Sequence, residues 1–265
     1  MRLAALALLV PALAFAQTPP DLAAERADYT RWLETSPGSP FAGLYHQFLH
    51  DDLVFGPGGD PALAELPPAT LRQERRRLVL RTADGTRTVP RNHDVPLGGF
   101  HIRVAGERGN AVVTVFGTPR DAVVPGWYPY AAEVVVDGTL EPPSRPESRR
   151  MLGLDGVTIE ASHAGTFVGA VAGQAARLTV FRMPEPGTEE SELMIFFRDE
   201  TNGRGTYPPG RFLALRPLGG DRYRADFNRA RNPFCAYNGI FPCPLPWAGN
   251  AIAAAIEAGE KYVAK

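Results

Sequence analysis

The chain has 265 residues, 44% of them hydrophobic and 22% charged, with a formal net charge of −1. That balance is ordinary for a globular protein. It gives no electrostatic footprint for nucleic acid or for anionic lipid, so neither is expected as a partner.

Residues 1–16, MRLAALALLVPALAFA, read as a secretory signal peptide. Arg2 supplies the positive end, Leu3 to Leu13 the apolar stretch, and Ala14-Phe15-Ala16 a small-residue cleavage site that leaves Gln17 first. The apolar run is too short for a membrane span, and no later run is long enough. Export to a periplasmic or extracellular compartment places the only two cysteines, Cys235 and Cys243, where thiols usually pair. A disulfide around so small a loop contributes roughly 2–3 kcal/mol in the chain-entropy description.

Residues 17–73 form a helical and loop segment. The spacing of Leu22, Tyr29, Trp32 and Leu33 predicts a helix over 22–33 with Asp21 as its N-cap. After a break at 36–40, Phe41, Leu44, Tyr45, Phe48 and Leu49 predict a second helix over 41–53. His46 and His50 would share one face of it, the spacing a zinc pair needs. Gln47 stands where a metalloprotease would carry its glutamate, and no third ligand is visible. The two are read as partly exposed surface histidines, and no metal is assigned.

From Arg75 onward the signals are strands. Residues 74–140 form an N-terminal β unit, with Arg75 to Thr82 and 87–90 joined by a turn at Ala83–Thr86, and strands over 100–105, 111–116 and 131–136. Glu141 to Pro146 is a proline-rich linker. Residues 147–265 form a C-terminal β unit, with strands over 156–160, 165–171, 175–182, 193–198, 211–215 and 222–227, closed by a short helix over 251–258 capped by Asn250. The predicted class is mainly β: antiparallel sandwich or barrel-like units with N-terminal helices and a short C-terminal helix.

Two dense polar runs interrupt the C-terminal unit. FFRDETNGRGTYPPGRFL (196–213) reads as strand, turn, strand, and DFNRARNPFCAYNGIFPCPLP (226–246) as a loop rich in side-chain donors and acceptors. Together with GWYP (126–129) and AGEK (258–261), these runs resemble the bacterial and archaeal DUF1684 family over about 127–261. The resemblance implies no activity. It departs from the usual family pattern at Arg231 and after CPLP, where Trp247-Ala248-Gly249-Asn250 stands.

The residues that would make a site are Asn202, Arg204, Thr206, Tyr207, Arg211, Asp226, Asn228, Asn232, Tyr237 and Lys261. Arg204, Arg211 and Lys261 suit a carboxylate or phosphate, and the tyrosines flat walls. Three readings stay open: the residues brace the fold, they bind a small polar or anionic ligand, or Asp226 and Tyr207 run hydrolase-like acid–base chemistry beside Arg204 and Arg211. No nucleophile elbow, phosphate loop or dinucleotide fingerprint is present, and no cofactor is expected. Ser162 and His163, adjacent on a strand, point to opposite faces and cannot act together. Because their strands are consecutive, Arg211 is expected to reach Asp226 or Asn228.

Overall fold

Helix α1, Pro20–Thr35, begins at Pro19 and Pro20, whose fixed φ suits a first turn, and ends where Ser36 becomes extended. Leu22 and Leu33 are its buried residues. Asp21 lies within the first turn and not at the cap, and it pairs with Arg229 at 2.7 Å. The computed structural model describes residues 17–75, 77–106, 109–120 and 122–264. The predicted leader, 1–16, lies outside them.

The second predicted helix does not form. One 3-10 turn, Pro40–Ala42, leads into strand β1, Gly43–Phe48. Then follow β2 (Leu53–Phe55), β3 (Ala69–Glu74), β4 (Arg77–Thr82), β5 (Gly85–Val89), β6 (Asp94–Leu97), β7 (Phe100–Ala105) and β8 (Val112–Phe116). Every residue of β8 is buried, so its backbone needs a strand on each side. β1 supplies one, pairing antiparallel from Gly43 opposite Phe116 to Phe48 opposite Val112. Tertiary pairing thus overrides the helical spacing of residues 41–49. It also buries His46, which sits 2.9 Å from Thr114 Oγ1, while His50 stays exposed beyond the strand. Burial pulls the His46 pKa down to about 4, so the ring is neutral at pH 7.

β1-β8-β7-β6 and β2-β3-β4-β5 are two four-stranded antiparallel sheets. They share a core in which Phe55, Leu71 and Leu80 meet Ile102, Val104 and Val115. β2 and β3, which the sequence leaves as loop, form because they contribute to that core.

The second half of the chain adds β9 (Val135–Glu141), β10 (Ser148–Leu152), β11 (Thr158–Val171), β12 (Gln174–Pro184), β13 (Ser191–Phe197), β14 (Arg211–Ala214), β15 (Arg216–Gly219) and β16 (Arg222–Asp226). They make one antiparallel sheet in the order β14-β13-β12-β11-β9-β16-β15, curled into a half-barrel, with β10 beside β11. β13 shows why this stretch reads as apolar on both faces. Leu193, Ile195 and Phe197 join Phe167, Phe227 and Ile256 in one core, while Met194 and Phe196 join Phe181, Phe212 and Phe234 in another. β9 and β11, on either side of the predicted linker, pair directly, with Glu141 opposite Thr166. A bulge between His163 and Gly165 lets the predicted strands over 156–160 and 165–171 run as one.

Residues 251–258 are irregular, with a bend at 253–254, and not helical. The backbone bonds a helix would keep to itself go to other partners. Ile252 N donates to Arg198 O at 2.8 Å, and Glu200 N donates to Ala254 O at 3.1 Å. Asn250, expected as a cap, instead pins two strands: its Nδ2 donates to Thr179 O (2.9 Å) and Phe196 O (3.1 Å). Ile252 and Ile256 are buried in the core with Phe167, Phe197 and Phe227. Among the described residues no helix is long and apolar enough to cross a membrane.

Candidate functional site: a cleft under the N-terminal helix

The turn after β13 is tied by its own side chains. Asp199 Oδ1 accepts from Thr201 N (2.8 Å) and Thr201 Oγ1 (2.5 Å), and Thr201 meets Thr206 at 2.8 Å. Asn202 Nδ2 donates to Tyr207 O at 2.5 Å. Arg211, fully buried, enters this turn from β14. Its Nη2 donates to Asp199 Oδ2 (2.9 Å) and Ile256 O (3.0 Å), its Nη1 to Ala258 O, and its guanidinium lies over the Phe197 ring. Burial lowers its pKa, and Asp199 opposes that. The expected contact with Asp226 or Asn228 is not made, because β14 ends one edge of the sheet and the chain re-enters at the other edge through β15.

The second run is tied separately. Asp226 Oδ1 accepts from Asn228 N (3.1 Å) and Nδ2 (2.9 Å), and its Oδ2 from Arg229 Nε (3.0 Å). Asn228 in turn exchanges bonds with Ala131 N (2.9 Å) and O (2.8 Å). Asn232 N donates to Glu260 Oε2 at 2.8 Å and its Nδ2 to Lys261 O at 2.8 Å. Arg204 and Lys261 are exposed: one folds back onto Glu200 O, the other places Nζ 5.0 Å from the Tyr128 ring. Cys235 and Cys243 stand in the structure as thiols. Tyr207 Oη bridges them, 3.2 Å from one sulfur and 3.1 Å from the other. Burial pushes the Cys235 thiol up to about 12. No bond joins Tyr207, Arg204, Arg211 and Asp226 to one another among the described residues.

A cleft of about 370 Å³ opens instead between α1 and the sheet. Leu22, Glu25, Arg26 and Tyr29 come from α1, Trp127 from the segment before β9, Glu185 from the β12–β13 connection and Glu192 from the start of β13. Residues 214–217, Arg229 and Arg231 complete it, and none of the ten sequence-predicted residues lines it. Its wall is a ladder of rings and guanidinium groups. Arg26 lies 4.9 Å over Trp127, Trp127 is edge-on to Tyr29 at 6.0 Å, and Arg231 lies 5.4 Å over Tyr29. Arg216 is paired with Glu25 at 2.6 Å, and Arg229 with Asp21, Glu25 and Asp226. Among the described residues Arg26 bonds to no carboxylate; it donates to the carbonyls of Tyr128 (3.1 Å) and Asn228 (2.9 Å), and burial lowers its pKa while the Asp226 charge opposes that. Arg231 reaches Glu185 only at 3.5 Å and Glu192 at 4.0 Å, beyond good hydrogen-bond length.

Four buried polar atoms of these lining residues make no hydrogen bond: Trp127 Nε1, Arg26 Nε, Glu192 Oε2 and Arg229 Nη1, the last of which still pairs with Glu25. An unmatched buried donor or acceptor costs roughly 1–3 kcal/mol. Behind the wall, Tyr29 Oη is 3.1 Å from Tyr237 Oη, which donates to Glu260 Oε2 at 2.6 Å. Burial pushes the Glu260 carboxyl up to about 7.

Sequence reading misses most of this cleft. Arg26 and Tyr29 at i and i+3 share a helix face, and Arg229 and Arg231 lie within the quoted 226–246 run, but nothing in the spacing brings α1 to that run. Trp127 is the one lining residue that the GWYP pattern already marks.

The family described as Protein of unknown function (DUF1684) matches residues 126–261. An uncharacterised protein of Haloarcula marismortui, solved by solution NMR, is 33% identical, covering 52% of this chain and 75% of that chain with a TM-score of 0.45. No curated protein matches.

Proposed function

The chain belongs to the DUF1684 family, matched over residues 126–261, and from the cleft that this region builds with α1 we propose an exported protein that binds a small anionic ligand. The buried, unpartnered donors Trp127 Nε1 and Arg26 Nε carry this reading. They are fixed in place by an aromatic–guanidinium stack, and an anion would accept from both. In this account the 199–238 loops serve as a brace: Arg211, Asp226, Asn228 and Asn232 bond neighbouring backbone and side chains, and Arg26 and Arg231 are the guanidinium groups presented to the ligand. Export rests on the leader pattern over 1–16, and in an oxidising compartment the Cys235 and Cys243 thiols would pair.

A thermal-shift screen of carboxylates, phosphates and sulfates on the chain from Gln17 onward tests this. A ligand at about 100 times its Kd stabilises by roughly 3 kcal/mol. That gain is expected to shrink in Trp127→Phe and Arg26→Gln and to survive in Arg204→Gln. Loss in Arg204→Gln with full response in the two cleft variants would place the ligand elsewhere.

A further inference from the structure

The cleft has two chemically different ends. At one, Arg26 and Trp127 offer N–H donors, and the Arg26 guanidinium has no carboxylate bonded to it. At the other, Glu185 and Glu192 lie 3.5 and 4.0 Å from Arg231, Arg216 also acts on Glu192, and the buried Glu192 Oε2 accepts no hydrogen bond among the described residues. Tyr29 stands between them, touching Trp127 on one side and Arg231 on the other. Leu22, Ala214 and Leu215 supply apolar wall alongside. One end therefore has spare positive charge and donors, and the other has spare negative charge and an acceptor. Burial, and then the neighbouring Glu185 charge, push the Glu192 carboxyl upward. A nearby cation would relieve both effects.

We propose that the ligand is a small zwitterion, an amino-carboxylate, whose carboxylate accepts from Arg26 and Trp127 and whose ammonium donates to Glu192 beside Glu185. This presupposes that the cleft is a binding site. A plain carboxylate would leave the glutamate end unmatched, and a plain amine would leave the arginine end unmatched. A neutral polyol would satisfy hydrogen bonds at both ends but neither charge.

Calorimetric titration of the chain from Gln17 onward separates these cases. The probes are the ω-amino acids from glycine to 6-aminohexanoate, the aliphatic monocarboxylates and monoamines of matching length, and glycerol. At least one amino acid should bind ten-fold or more tightly than both its matched carboxylate and its matched amine. Glu192→Gln should bring that amino acid down to the affinity of the carboxylate and leave the carboxylate unchanged. Trp127→Phe should weaken both. Equal binding of carboxylates and amino acids would overturn the zwitterion and leave the anion site standing. Preference for amines or glycerol, or no binding by any probe, would overturn the zwitterion and the anion site together.

Discussion

The Arg211 guanidinium leaves water entirely to reach Asp199, and the carbonyls of Ile256 and Ala258 also accept from it. Taking one member of such a pair away strands the other charge in the core, at a cost of roughly 3–5 kcal/mol. Arg211→Ala should show that loss in denaturant unfolding, and a loss under about 1 kcal/mol would contradict the bracing role. Glu260 makes a second prediction. Its carboxyl is ordinary, near 4.5, in the unfolded chain and near 7 in the folded one. Between those values the folded chain holds a proton that the unfolded chain has released. Stability from this group is therefore complete below about pH 4.5 and is lost as pH rises through about 7, on the order of 3 kcal/mol. Glu260→Gln should flatten the stability profile across that window relative to the parent, and an unchanged slope would rule the assignment out. At this scale the sequence made the polar loops legible as residues needing partners. It could not say which partners, because Asp199 and Glu260 meet Arg211 and Asn232 through turns that no spacing encodes.

Elements whose hydrogen bonds close locally were legible, and those whose bonds close at a distance were not. The hairpins β4–β5 and β7–β8 follow from alternation and turn residues. β1 carries a helical spacing but pairs with β8, and the 251–258 segment carries helix formers but lends its carbonyls to Arg211 and the turn at 198–200. The long β11 was split in the sequence by its own bulge. Gly165 makes that bulge possible: its φ is +142°, and a Cβ there would stand 2.1 Å from Glu141 O on β9. Gly165→Ala should cost roughly 1–3 kcal/mol by combining backbone strain with a collision between strands. Urea unfolding checks this, and a variant as stable as the parent would mean that β9 and β11 are not packed this closely.

Over the whole molecule, mainly antiparallel β architecture was legible from strand spacing alone, whereas the cleft was not, since it joins residues 22–29 to residues 127–231. If the chain is exported, its intact mass after secretion should begin at Gln17, and Cys235 and Cys243 should resist alkylation until reduced. Absence of the chain from the exported fraction would contradict export; an exported species retaining residues 1–16 would contradict the cleavage site, and one with two reactive thiols the disulfide. The central claim is that the cleft beside Trp127 holds the ligand. The chain has three tryptophans: Trp32, Trp127 and Trp247, the last of which lines a different cavity beside Phe181. Nitrogen-15 NMR of the three indole N–H groups reads the claim most directly, with Trp127→Phe identifying its signal. Titration with the tightest-binding screened compound should shift the Trp127 signal strongly, as its Nε1–H gains an acceptor, and leave Trp247 in place. Saturating ligand that moves Trp247, or none of the three, would contradict it.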